Sequence, residues 1–481
     1  ITNYKKYSFK IGEIDPNVFW LNKKNAWKEK ELHSFLWLNL IDRKNDGKSL
    51  QKIIDVWMLK HSKYKRNVWE SSVLSKRIIS WILNVDIILN NGSFYFKRSF
   101  LNSIIAQTNH LKKNIKFEKN YSKRVEILTA LLISGLVFKE YINNFNIGIK
   151  ELEKLIKNYF DNDGFPLTRN PSDLIFFSKY LMLCKECIKD AQQYVPEFLD
   201  TIIDKNLRCI KNILTPNNQT PLFNGGTEDN LEQFNKFLNA LDYKSKDKKN
   251  IIGGIHAFNI KNSAIFFDVG EPPKKSFSKS YQSGPLSFEY YLDGEKIITN
   301  CGFGSNISSK AELLSRLTSA QSTLTLGDTS VTRFERNKLI NRIFGNSIKN
   351  TFKINNLDFA EDKNQIKFIA SHNGYEKKFG CIHKREISID KLNGKLIGCD
   401  EIIKKKDGKP LNYSLRFHLY PGLTAVKTMG GNSVLIQISK KKSLIFTIID
   451  GSILLEKSIF LGGNKILDNT CVTVSGNLVN K

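Results

Sequence analysis

The feature that most restricts the fold of this chain is a change of hydrophobic period part-way along it. From Trp20 to about Leu214 apolar residues recur at helical spacing with short breaks; from Ile251 onward they fall in short runs separated by turn dipeptides. The first stretch predicts helices over Glu31 to Ile41, Ser49 to Leu59, Ser72 to Leu89, Phe100 to Asn114, Ser122 to Phe145, Ile149 to Phe160, Asp173 to Ala191 and Pro196 to Leu214. Helices in succession with no strand signal between them stack as antiparallel pairs. The second stretch predicts strands over Ser263 to Phe267, Leu286 to Tyr291, Ser322 to Leu326, Gln365 to Ser371, Cys381 to Ile389, Lys395 to Ile403, Ser414 to Tyr420, Ser433 to Ile438, Ser443 to Ile448 and Ile453 to Phe460. Turns at Asp293-Gly294, Asn393-Gly394, Asp407-Gly408 and Asp450-Gly451 mark an antiparallel sandwich. The expectation is a multidomain α and β chain, with an all-α domain over 1–245 and a β-sandwich over 246–481. The junction falls in the polar stretch from Thr227 to Asn250, whose residues Lys244 to Lys249 read KSKDKK.

Composition narrows the function classes. A chain of 481 residues has room for two cores, and 41% apolar with 11% aromatic residues excludes general disorder. The 74 Lys and Arg against 47 Asp and Glu leave a net charge of +27, which favours capture of polyanions. The same excess also suits the Lys-, Asn-, Ile- and Phe-rich composition of an AT-rich genome. The basic residues are scattered, without the stripe or motif of a nucleic-acid binder. Seven cysteines, an odd number spread over the chain, argue against a disulfide scaffold, and Cys184 and Cys187 sit in an apolar helix with no second pair at zinc spacing. No apolar run is long enough for a transmembrane segment. With no initial Met, and with Lys481 just after a strand-like Cys471 to Val474, both ends are expected to be cuts in a longer chain, so a leader peptide would not be seen.

Chemistry concentrates between Ser280 and Ser330. A Gly-Pro turn leads into a hairpin through Leu286, Phe288 and Tyr290, which turns at Asp293-Gly294 and returns through Ile297 and Ile298. After it come a short helix, Ala311 to Arg316, and a strand from Ser322, so Gln282, Asn300, Arg316 and Gln321 are expected to converge at strand ends. The segments Tyr281-Gln282-Ser283-Gly284-Pro285-Leu286-Ser287-Phe288-Glu289, Asn300-Cys301-Gly302 and Arg316-Leu317-Thr318-Ser319-Ala320-Gln321-Ser322-Thr323-Leu324 resemble the start of the C-terminal domain of the heparinase II/III-like polysaccharide lyases. That family's pattern runs A-H-A-G-x-L-S-F-E, N-C-G and R-x-T-A-A-H-S-T-L; both of its histidines are glutamines here.

The resemblance runs over most of the chain. Leu32 to Leu38 is similar to an L-H-x-F-x-W-L helix, and Trp69, Arg77 and Trp81 are similar to a W-R-W segment. Asp163-Gly164-Phe165-Pro166-Leu167-Thr168-Arg169-Asn170-Pro171 resembles a D-G-G-H-x-S-R-N-P loop, with Phe-Pro in place of Gly-His, and Leu222 to Gly225 an L-F-N-G turn. Later, His372 to Tyr375 resembles H-x-G-Y, His383 and Arg385 resemble H-x-R, and Arg416 to Pro421 resembles R-F-H-L-x-P. The resemblance implies an incomplete α/α toroid followed by a β-sandwich, and a lyase that cleaves a uronate polymer in the cleft between them.

Such β-elimination needs a base for the C5 proton, an acid for the leaving oxygen and donors for the carboxylate. The resemblance makes Tyr121, His372, Tyr375 and His418 the catalytic candidates, and Asn120, Arg169, Asn170, Asn224, Gln282, Arg316 and Arg416 the substrate-binding ones. Each also has a plainer alternative: Asn120 and Asn170 as helix caps, Tyr121 as a packed aromatic, and His372 with Tyr375 as a hydrogen-bonded fastener of the sandwich. His33 is expected to pack rather than react. Metal-bound relatives hold zinc at the places of Gln282, Asn300 and Gln321; amides are poor zinc ligands, so no metal and no cofactor is expected. The partner expected is an acidic polysaccharide, handled at the cell envelope or in the periplasm, with a cytoplasmic location still open. The alternative function is a catalytically weakened relative that binds or helps process an acidic surface polysaccharide.

Overall fold

The computed structural model describes residues 15–20, 26–41, 47–90, 92–243, 251–260, 262–337, 339–341, 345–405, 410–463 and 465–478. The KSKDKK junction and the Asp407-Gly408 turn lie outside them. The chain divides into two compact units, residues 1–159 with 176–204, and residues 160–175 with 205–481. The second unit therefore takes in the loop before Pro171 and helical residues after 204 together with all the strands.

The first unit is built of helices. The main ones are Gly47–His61, Ser71–Leu83, Phe94–Asn114, Tyr121–Val137 and Ile142–Tyr159, with most of Pro171–Asp190 and the start of Glu197–Ile213. Three expected helices are broken. The helix expected over Glu31 to Ile41 stops at Ser34, because Phe35 takes a left-handed backbone (φ 57°) that drives its ring between Trp37, Trp57 and Trp81, and a 3-10 turn follows over Leu36–Leu40. Asn84 interrupts the next one, its Nδ2 donating to the Ser80 carbonyl as the chain restarts at Val85–Leu89. The run expected from Ser122 to Phe145 ends at Val137, and a new helix starts at Ile142 after a 3-10 turn. That helical hairpin closes on two glycines. A Cβ on Gly135 would lie 2.3 Å from the Phe145 nitrogen, and one on Gly148 would lie 3.0 Å from Leu132. Among the described residues no helix is long and apolar enough to cross a membrane.

The second unit carries the sheets. Its strands run β1 Ile251–Ile252, β2 Ile255–Ile260, β3 Ser263–Asp268, β4 Phe288–Leu292, β5 Glu295–Thr299, β6 Leu324–Leu326, β7 Ile354–Glu361, β8 Gln365–His372, β9 Cys381–Asp390, β10 Lys395–Lys404, β11 Leu411–Leu419, β12 Thr424–Lys427, β13 Ser433–Ser439, β14 Lys442–Thr447, β15 Ser452–Phe460 and β16 Leu467–Leu478. One antiparallel sheet follows the order β1-β2-β3-β4-β5-β11-β16-β15, with β6 joined to β11. Smaller sheets of β10-β9-β8-β7 and β12-β13-β14 complete the sandwich. Ile265, Phe267, Phe288 and Ile297 of the large sheet share a core with Phe368, Ala370, Ile387 and Ile389 of the first small one. Val472, Val474 and Ile453 meet Val434 and Ile436 of the second. The period-2 pattern thus marked the inward faces correctly. Strands β1, β2, β7 and β12 were not foreseen. In β7 most side chains are exposed, leaving little apolar alternation to detect.

Candidate functional site

In the β unit the motif segments meet as loops between β3 and β6, and amide side chains lock them. Gln282 accepts from the Gly225 nitrogen through Oε1 (3.0 Å) and donates through Nε2 to the carbonyls of Gly302 (3.0 Å) and Ser315 (2.8 Å). Gln321 donates to the same Ser315 carbonyl at 2.8 Å. Asn300 accepts from the Ser322 nitrogen at 2.9 Å. All three side chains are buried. The expected convergence of Gln282, Asn300, Arg316 and Gln321 is present in this sense: the glutamines meet on one carbonyl, and Arg316 follows that carbonyl in sequence. Arg316 is itself buried, donating to the carbonyls of Tyr281 (2.8 Å), Ser278 (2.8 Å) and Asn346, with its guanidinium over the Phe334 ring.

The late motifs form a chain of buried polar groups. Gly374 donates its N–H to His372 Nδ1 (3.1 Å), which places the His372 proton on Nε2. That Nε2 faces His383 Nδ1 at 3.1 Å, and His383 Nε2 meets Asp400 Oδ1 at 2.6 Å. Arg385 closes the chain, giving Nε to Asp400 (2.7 Å) and Nη1 to the carbonyls of Leu286 (2.6 Å) and Ser322 (3.0 Å). Burial, with His383 and Arg385 nearby, holds the His372 pKa well below its usual value. Burial would raise the Asp400 pKa, but Arg385 and His383 outweigh it and bring it down to about 2. Tyr375 donates its hydroxyl to the Leu324 carbonyl at 2.9 Å. The H-x-G-Y and H-x-R motifs therefore fasten β8 and β9 to the amide-locked loops.

His418, on β11, is buried between the Ser319 carbonyl (3.0 Å from Nε2) and Ser458 Oγ (3.0 Å from Nδ1), with Cys301 Sγ at 3.5 Å. Burial lowers its pKa, but Cys301 and the Ser319 carbonyl outweigh that and raise it. Arg416 is half-buried and donates to Thr325 Oγ1 at 2.7 Å.

Arg169 sits in the loop before the Pro171–Asp190 helix with a left-handed backbone (φ 58°). All five of its N–H groups have acceptors: the carbonyls of Gly253 (3.0 Å), Gly254 (3.2 Å), Gly270 (3.1 Å) and Glu271 (3.2 Å), and the Asp268 carboxylate. Such a guanidinium has no donor left for a substrate carboxylate. Asn170 accepts from the Ser172 nitrogen at 2.9 Å, the helix-capping alternative. Asn224, left-handed and buried, points Oδ1 toward the Gln282 nitrogen at 3.5 Å.

In the helical unit, Asn120 and Tyr121 open the Tyr121–Val137 helix. Asn120 is exposed and caps it, its Oδ1 accepting from the Lys123 nitrogen at 3.2 Å. Tyr121 is half-buried and stacks on Tyr159 at 4.8 Å. His33 packs as expected, accepting from Trp57 Nε1 and stacking on Trp20.

Sequence reasoning passed over one cluster. Lys296 is fully buried, 3.0 Å from Glu228 and 3.5 Å from Glu289, whose carboxylate also takes the Leu222 nitrogen and the Thr299 hydroxyl. Burial works against its charge, but Glu289, Tyr291 and Glu228 outweigh it and raise its pKa. The only advance signal was a charged residue at an inward position of β5. Among the described residues no three His, Cys, Asp or Glu side chains are grouped to hold a metal ion.

Helices followed by a three-sheet antiparallel sandwich make an α/α-toroid and β-sandwich fold. Residues 251–478 match the heparinase II/III-like, C-terminal family. That stretch is heparinase II/III-like, and solved structures agree on the fold of the chain. A mutant of heparan sulfate lyase HepC from Pedobacter heparinus is 18% identical with a TM-score of 0.69, over 99% of this chain and 76% of that one. A heparinase III structure is 16% identical with a TM-score of 0.70, over 94% of this chain and 74% of the other. FtsZ-localized protein C of Caulobacter vibrioides is 22% identical over 432 residues, 84% of this chain and 72% of that protein.

Proposed function

We propose that this protein cleaves an anionic, uronate-containing polysaccharide by β-elimination, with Tyr121 as the proton-transfer group and Asn120 as a contact to the substrate carboxylate. The carrying observation is exposure. Of the four catalytic candidates, His372, Tyr375 and His418 are buried, whereas Tyr121 is half-buried and stands beside the exposed Asn120. Both stand at the start of a 17-residue helix, where the backbone favours negative charge. In this reading Tyr121, as the phenolate, takes the C5 proton as charge builds on the carboxylate held at the helix start. The C4–O bond then breaks, a C4=C5 double bond forms, and the Tyr121 phenol passes that proton to the leaving oxygen, which restores the phenolate. A cell-envelope or periplasmic location goes with that substrate.

A second reading, binding without cleavage, is favoured by the closed hydrogen bonding of His372, His418 and Arg169. One experiment separates them: ultraviolet absorbance of unsaturated uronate is followed over a panel of acidic polysaccharides that includes heparan sulfate, with binding measured in parallel by calorimetry. Rising absorbance that Tyr121→Phe lowers by about 10² or more, with binding kept, supports the lyase. A flat trace with saturable binding supports the second reading, and neither signal removes both.

A further inference from the structure

The glutamines at the two histidine positions of the pattern do more than leave a metal site empty of ligands. We infer that Gln282, Gln321 and Asn300 form a metal-independent clasp that joins these loops by hydrogen bonds alone, at positions whose residues do not fit zinc.

The donor set does not fit zinc. A zinc ion needs lone pairs from imidazole, thiolate or carboxylate, and its charge calls for at least some anionic or strongly basic ligands. Here the Gln282 oxygen is already held by the Gly225 N–H, and the Asn300 oxygen by the Ser322 N–H. The nitrogens of both glutamines point at carbonyls. The orientation of Gln282 is fixed by its neighbours. Flipping the amide would set its NH2 against the Gly225 N–H and its oxygen against the carbonyls of Gly302 and Ser315, three repulsions in place of three hydrogen bonds. The nearest thiol, that of Cys301, lies against His418 and Ser458 instead.

The amides join several separate segments of the chain. Gln282 alone links the 222–226 turn, its own segment, the Asn300-Cys301-Gly302 turn and the end of the Ser309–Ser315 helix. Gln321 brings the segment leading to β6 onto the same Ser315 carbonyl, and Asn300 fixes the next residue, Ser322. Ser322 passes the constraint on, donating Oγ to the Thr299 carbonyl (2.6 Å) and accepting from the His418 nitrogen (3.0 Å). The Ser315 carbonyl, with two amide donors, stands at the centre of the junction.

The test is elemental analysis of the purified protein with melting curves before and after exhaustive dialysis against a strong zinc chelator, and again with added zinc. The expected result is zinc far below one equivalent and a melting temperature unmoved by chelator or metal. Gln321→Leu and Gln282→Leu should each lower the melting temperature by several degrees. The zinc and chelator arms use the unaltered protein, so they decide the matter even where Gln282→Leu fails to fold. Zinc near one equivalent, or a melting temperature that falls with chelator, overturns the inference. So does a Gln321→Leu protein that melts like the original, since the glutamine would then hold nothing together.

Discussion

Arg169→Ala should destabilise the β unit severely while leaving the helical unit in place. The side chain is the hub of a buried junction. Its five N–H groups satisfy four backbone carbonyls and the Asp268 carboxylate, and the backbone approaches so closely that a Cβ on Gly270 would lie 2.2 Å from the guanidinium carbon. Truncation leaves the buried Asp268 carboxylate with the Gly270 N–H but without its cation, and leaves the carbonyls facing a void. Removing one partner of a buried, hydrogen-bonded ion pair costs about 3–5 kcal/mol, a large share of a domain's 5–15 kcal/mol. With a urea m-value of about 3 kcal/mol/M, the β-unit midpoint should fall by about 1 M or more. The chain provides a convenient division of probes: all six tryptophans, at positions 20, 27, 37, 57, 69 and 81, belong to the helical unit. Tryptophan fluorescence should therefore keep its transition while circular dichroism in the β-sheet region gains an early phase. Arg169→Lys should recover only part of the loss, because one ammonium cannot reach five fixed acceptors. An unmoved dichroism midpoint with weakened polysaccharide binding would refute the reasoning and return Arg169 to the substrate.

Acid should weaken the fold from about pH 6.5 downward. Burial holds the pKa of His256 down to about 4; it packs against Phe258, Phe359 and Phe368 with neither ring nitrogen hydrogen-bonded. The unfolded chain takes up that proton first, so stability is full above about 6.5 and is lost toward pH 4, by about 3 kcal/mol for this residue. In urea melts across that range, His256→Phe should flatten the β unit's slope; an unchanged slope would count against it. Gly135→Ala should cost about 1–3 kcal/mol by pushing its helix off Phe145, read as a lower midpoint in tryptophan fluorescence.

The architecture was legible because it is written in period. Helical spacing before residue 214 and alternation after 251 follow from which faces must leave water, and both units obey them. Breaks inside helices were not legible: Phe35 turns left-handed because a pocket of three tryptophans receives its ring, and that pocket exists only after folding. The motif residues show the same limit at the site. Their types fit chemistry equally well in a cleft or in a fastening, and spacing along the chain cannot say which atoms are already taken. His372 illustrates it: as a lone sequence residue it is a candidate base, but the Gly374 N–H on one nitrogen and His383 on the other leave it no free lone pair. The role proposed for Tyr121, whose motif match was the loosest, rests instead on its half-buried place beside the exposed Asn120. Hydrogen-bond capacity, rather than residue type, therefore decides which of the buried groups can do chemistry, and it marks those of the β unit as a framework, apart from the exposed Asn120 and half-buried Tyr121 at one helix start.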